Sequence, residues 1–235
     1  MAEGARFELA VHEVDAGFQD RCFQRLTHHL LRLDRTMVTR PRLFLPHCPY
    51  VKEYFMSILK VTRLGHPVLR KVTEQVPLRE LQSPAMQRFI DDMVETMKEY
   101  EGVGLAADQV FESKQVAVLE VADNPRYPDK PAVPLTVLVN PKITPLSDEM
   151  EEDWEGCLSI PDLRGRVPRY KTIHVQALDR YGDPLDFVAE DFHARVIQHE
   201  FDHLNGKVYL DRMRDLTTLT FLQELARYWL PSEQG

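Results

Sequence analysis

Apolar residues recur with two distinct periods along this 235-residue chain. Met86, Phe89, Ile90, Met93, Val94, Met97 and Tyr100 fall three and four apart, which puts them on one face of a helix. Ser83-Pro84 just ahead supplies a capping hydroxyl and a proline pre-set for the first turn. A helix is therefore predicted from there to about residue 100, its methionine-rich stripe serving as core packing rather than as a cofactor box. Gly102-Val103-Gly104 ends it. Shorter segments rich in branched residues, at 115–122, 135–140, 172–179 and 185–189, read as strands separated by Pro and Asp/Gly clusters. Met56-Ser57-Ile58-Leu59-Lys60-Val61 alternates and predicts the first strand of a domain. A second helix is predicted from about residue 191 through 203, and a third from about 215 to 229. Helices and strands do not alternate regularly, so the predicted class is α+β, with mixed or antiparallel sheets around a central helix and a helix at the C-terminus.

The chain changes character near Met56. Residues 1–55 hold 8 basic and 7 acidic residues and four of the nine histidines, whereas residues 56–235 hold 21 basic against 30 acidic. Phe18, Cys22, Leu26 and Leu30 recur at helical spacing, but acids crowd the front of the segment and no apolar signal core is present. We expect residues 1–55 to be a poorly ordered extension, or translated sequence upstream of a start at Met56, and residues 56–235 to be the catalytic domain. Apolar runs are too short for a transmembrane helix, and a net charge of −8 excludes indiscriminate nucleic-acid binding. Cys22, Cys48 and Cys157 are too few for a disulfide framework, so a reducing compartment is expected, where a cysteine can serve as a thiolate ligand.

The chemistry concentrates in Gln198-His199-Glu200-Phe201-Asp202-His203-Leu204-Asn205-Gly206. Two histidines four apart on a helix point from one face and can grip one metal ion. Glu200 then stands beside whatever water the ion binds, the equipment for hydrolysing an amide. Phe192, Val196 and Leu204 predict that this helix is buried. The third ligand separates one enzyme class from another. A longer zinc-protease pattern matches through Gly206 and fails at Tyr209. Glu224, the ligand a zinc-dependent endopeptidase would use, lies in an amphipathic stretch as a solvated face residue. Cys157, in Glu155-Gly156-Cys157-Leu158-Ser159-Ile160-Pro161, has a glycine that allows close backbone approach and apolar flanks for a dry wall, and is the better candidate. In Gly102-Val103-Gly104-Leu105-Ala106-Ala107-Asp108-Gln109-Val110, small residues allow tight approach and Gln109 offers a neutral amide donor.

Together and in this order, Gly-Val-Gly-Leu-Ala-Ala-Asp-Gln, Glu-Gly-Cys-Leu-Ser and Gln-His-Glu-Phe-Asp-His-Leu-Asn-Gly closely resemble the three motifs of peptide deformylases. The resemblance covers roughly residues 56–235 and departs at Asp108, where the family more often has proline, asparagine or threonine. It implies that Cys157, His199 and His203 hold a divalent metal, Fe(II) physiologically, with Zn, Ni or Co as substitutes. It implies that Glu200 is general base and then acid, and that the Gln109 side chain and the Leu158 N–H stabilise charge on the oxygen of a formyl group. The substrate would be the N-formylmethionine end of a newly made polypeptide, and formate a product. Val103, Gly104 and Gly156 would bind the peptide as an added strand. Val103, Phe192 and Val196 would take the methionine side chain. Arg169 and Asp202 look like partners that orient the site. The same resemblance implies a cytoplasmic home, most simply a bacterial cytosol, and a transient ribosome contact for which the C-terminal helix is a candidate. No membrane and no direct nucleic-acid role are expected.

Overall fold

The computed structural model describes residues 57–122 and 131–230. The extension expected over residues 1–55, including the helix expected around Phe18 to Leu30, lies outside the described residues. Four helices are labelled in chain order: α1 (Leu78–Leu81), α2 (Pro84–Glu99), α3 (Asp191–Leu204) and α4 (Leu222–Tyr228). The strands are β1 (Gly104–Ala106), β2 (Val116–Val121), β3 (Val133–Pro145), β4 (Met150–Cys157), β5 (Ile160–Tyr170), β6 (Thr172–Leu178), β7 (Pro184–Glu190) and β8 (Thr220–Phe221). They form a five-stranded antiparallel sheet in the order β1-β2-β3-β6-β7 and a three-stranded sheet in the order β4-β5-β8. The α+β class read from the sequence is the one observed.

Helix α2 begins where the sequence predicts. The Ser83 hydroxyl accepts the Met86 N–H, and the apolar stripe is buried from Met86 to Met97. That stripe packs with Leu105, Val116, Val118, Val137 and Val139 on one face of the large sheet. The opposite face presents Leu119, Val121, Leu138, Ile173 and Val175 to Phe192, Ala194, Val196 and Ile197 of α3. Strand β2 is thus buried on both faces, which is why Val116-Ala117-Val118-Leu119 reads as a continuous apolar run rather than an alternation. Helix α3 packs against the large sheet and also against β5 of the small one. It is the central element, stapled by Gln198, whose side-chain amide both donates to and accepts from the Tyr170 backbone.

Two sequence expectations need correction, and one hairpin went unpredicted. The alternating segment after Met56 pairs with no strand among the described residues: residues 57–63 have no regular secondary structure, with the Ser57 and Leu59 amides donating to Asp92 and Thr96 of α2. Its alternation records packing on a helix, and beyond it Thr62 and Leu64 donate to the carbonyls of Gln109 and Ser159. The helix expected over 215–229 exists only as α4. Ahead of it lie a 3₁₀ turn at Leu216–Thr218, capped by Asp215, and strand β8 against Leu163 and Arg164. Thr217, Thr218 and Thr220, stiff β-branched residues, disfavour helix there. Strands β4 and β5 were not expected at all, because their exposed acids and prolines conceal any period-2 pattern.

Helix α3 stops at Asn205, and Gly206 follows with φ +69°, where an added Cβ would lie 2.8 Å from the Arg70 carbonyl carbon. Gly206→Ala should lower unfolding free energy by more than about 1 kcal/mol, because both the left-handed backbone and the contact penalise a side chain. Urea denaturation of the two proteins measures it.

Candidate metal centre

Helix α3 carries His199 and His203 one turn apart, with ring centroids 5.2 Å from each other. Cys157 enters from the end of β4, directly before the two-residue turn Leu158-Ser159 that leads into β5. Its sulfur is 3.1 Å from Nε2 of His203. One donor atom from each of Cys157, His199 and His203 lies within 4.8 Å of the others, and all three residues are buried. Among the described residues this is the one such cluster of three His, Cys, Asp or Glu donors.

The groups behind the donors set their orientation. Glu155 receives four N–H donors: Arg169 Nε and Arg195 Nη1 on one oxygen, Arg169 Nη2 and His199 Nδ1 on the other, each at 2.9 Å. With Nδ1 of His199 so engaged, Nε2 faces the centre. Arg169 also donates to Asp202, which in turn receives Arg212. Arg195 is tied further to the carbonyls of Val167 and Glu151. Arg169 and Asp202 therefore lie in the network behind His199, one and two residues removed from the ring. Glu155 and Arg195 were missed by sequence reasoning. The available signal was Arg195, four residues before His199 on the same helical face, since a buried guanidinium requires a buried acid.

Electrostatics suit a bound cation. Burial alone would push the Cys157 thiol up, but the imidazoles of His203 and His199 hold it down, at about 5. A thiolate is the form a divalent ion binds. Burial pushes Glu200 up to about 7, and one of its oxygens has no hydrogen-bond partner among the described residues. Glu155 is depressed below the usual carboxylate range: burial opposes this, and Arg169 and His199 outweigh it. The donor set of one thiolate and two imidazoles, with three protein ligands, fits a transition ion that keeps a further position open for catalysis.

The remaining predicted residues border one cleft. Val103, Gly104, Gly156, Phe192 and Val196 line it together with Gln109, Cys157, Leu158, His199 and Glu200. Trp154 also lines it, and packs edge-on against Trp229 beyond α4 with centroids 5.5 Å apart. Gly104 lies in edge strand β1, where an added Cβ would be 2.2 Å from a Glu200 oxygen, so its missing side chain makes room for that carboxylate. Gln109 is held in orientation, its oxygen accepting the Ala106 N–H and its amide nitrogen facing Cys157 Sγ at 3.4 Å and Ser159 Oγ at 3.2 Å. Glu224 lies on α4, part-exposed and paired with Arg227, outside the donor cluster.

A family model described as polypeptide deformylase matches residues 58–218. The chain belongs to the peptide deformylase family. Over 165 residues it is 48% identical to peptide deformylase 1 of Bordetella pertussis, covering 70% of this chain and 93% of that one. Peptide deformylase 2 of Ralstonia nicotianae is 46% identical over 168 residues, covering 72% of this chain and 94% of the relative. Among solved structures, the Met-Ala-Ser-bound class I type b peptide deformylase of Acinetobacter baumannii is similar with a TM-score of 0.66 and 41% identity. The match covers 68% of this chain and 100% of that one. This deformylase is a hydrolase that removes an N-formyl group, and Cys157, His199 and His203 are its metal-binding site. The endopeptidase alternative built on Glu224 is set aside. No helix among the described residues is long and apolar enough to cross a membrane.

Glu155→Gln leaves two buried guanidinium groups under-compensated and should cost about 3–5 kcal/mol of stability, read by chemical denaturation. In the unmutated protein the Glu155 contribution is fully present above the ordinary carboxylate pKa of 4.5 and is lost as pH falls toward the depressed folded value. The melting temperature should therefore decline below about pH 4.5, with a shallower decline in the variant.

Proposed function

We propose that this deformylase acts on the formylmethionine end of newly made polypeptides with Glu200 as its proton carrier and Fe(II) as its physiological ion. The observation that carries this reading is Glu200 itself. It is buried beside the Cys157–His199–His203 donors, has one oxygen unengaged among the described residues, and is pushed by burial up to about 7. When bound, a divalent ion supplies a water acidified from 15.7 toward ~7 and polarises the carbonyl. Glu200 takes a proton from the attacking water and returns it to the leaving nitrogen, so the C–N bond breaks to give formate and a free amino terminus. The Gln109 amide and the Leu158 N–H donate to the formyl oxygen as charge builds on it, each such donor being worth about 3–4 kcal/mol.

The peptide lies along the free edge of β1, contacting the backbone of Val103, Gly104 and Gly156, with its methionine side chain against Val103, Phe192 and Val196. A Met-Ala-Ser-bound relative supports this class of ligand. The chain works on nascent chains in a bacterial cytosol. Exposed Leu222, Tyr228 and Trp229 at α4 are the face for a transient ribosome contact.

Formate release from formyl-Met-Ala-Ser tests the chemistry. Glu200→Gln should keep the ion and lose about 10²–10⁴-fold in rate, whereas Cys157→Ser should lose the ion. A Glu224→Gln variant that loses its ion while Cys157→Ser retains it would overturn the reading. A raised carboxyl pKa leaves the base protonated at low pH, and a bound cation pulls that pKa back down. The acid limb of kcat/KM should accordingly fall between about 4.5 and 7. Activity of the iron form should decay in air and be protected by exchange for Ni or Co. An enzyme active only with zinc and indifferent to oxygen would refute iron.

A further inference from the structure

Asp108 lies in the 3₁₀ turn Ala107–Val110 that follows β1. Its side chain is wholly buried, and neither carboxylate oxygen has a hydrogen-bond partner among the described residues. The facing group is Nδ1 of His203, 3.5 Å from Oδ2, which likewise has no partner among those residues. A buried carboxylate and a buried ring nitrogen each left unsatisfied are both costly, so their juxtaposition needs a reason. The turn itself is pinned, its Asp108 carbonyl accepting the Phe111 N–H and its Gln109 side chain fixed on Ala106. The side chain is thereby delivered to the back of His203, opposite the face that carries Nε2 toward Cys157.

We propose that Asp108 is a positioning residue for the metal centre: its carboxylate accepts the Nδ1 proton of His203, holds Nε2 in the ligand position, and offsets the charge of the bound cation. This rests on the metal-binding reading above. A divalent ion with one thiolate retains a net positive charge in a buried site. Glu155 is already engaged by two guanidinium groups, so Asp108 is the carboxylate free to balance that charge without acting in proton transfer. Each imidazole ligand then has its own acid: Glu155 behind His199 and Asp108 behind His203.

The test is metal affinity, measured by competition with a chromophoric chelator on full-length cobalt- and zinc-loaded protein. Asp108→Asn keeps the shape and removes the charge, and its affinity should fall tenfold or more. A smaller loss overturns the proposal. The thiolate-to-cobalt absorption band of the wild type serves as control: without that band in the wild type, the ligand reading fails rather than this one. Should Asp108→Asn not fold, ¹⁵N-imidazole NMR of the zinc-loaded wild type decides. His203 is expected to show a slowly exchanging, downfield proton on Nδ1, and an unprotonated or freely exchanging Nδ1 overturns the inference.

Discussion

The structure turns on one buried carboxylate. Glu155 gathers Arg169, Arg195 and His199 around its two oxygens, and those three residues come from β5 and α3. Burying so much charge is unfavourable unless every lone pair is used, and here four N–H groups use them. The consequence reaches outward in both directions. Toward the core, the β4–β5 hairpin, which also packs Ile160, Leu163 and Val167 against Val208 and Tyr209, is locked to the central helix. Toward the cleft, His199 has one ring orientation, and Cys157 is held two residues beyond the anchor.

That hairpin is also where sequence reasoning had least to work with. Helices α2 and α3 were legible because their buried faces repeat every three to four residues, and β2 because its two-sided burial leaves an unbroken apolar run. Strand β4 carries Glu151, Glu152 and Asp153, and β5 carries two prolines, so their pairing is set by register and by the buried ion cluster rather than by hydrophobic pattern. Alternation at 57–61 predicted a strand and was misleading, because the segment bonds through Ser57 and Leu59 to side chains of α2 rather than to a sheet. His199 and His203 could be read from their spacing on a helix, and Cys157 from its glycine and apolar flanks together with the family resemblance. Arg195 left one mark, its place a turn before His199 on the same helical face, but Glu155 left none, because a carboxylate buried only by tertiary contacts has no local signature.

The cleft shows a division of labour among the three motif segments. Turn 107–110 supplies Gln109, the hairpin supplies Cys157 and Leu158, and α3 supplies His199 and Glu200, with His203 buried behind them. Gly104 completes the fit by leaving space that the Glu200 carboxylate occupies. The segment at 57–64 bonds to the backbone of Gln109 and of Ser159, and so clamps two of these three units to each other.

Because Cys157 ends β4 while His199 and His203 share α3, an ion held between them closes the long stretch of chain from 157 to 199 much as a disulfide would. The unfolded chain holds no such preformed trio. Loading and folding are therefore one linked equilibrium, and the free concentration of metal becomes a determinant of how long the native state persists: each hundredfold excess over the dissociation constant adds about 2.7 kcal/mol. For this enzyme, losing the ion would remove chemistry and a fold constraint in the same event.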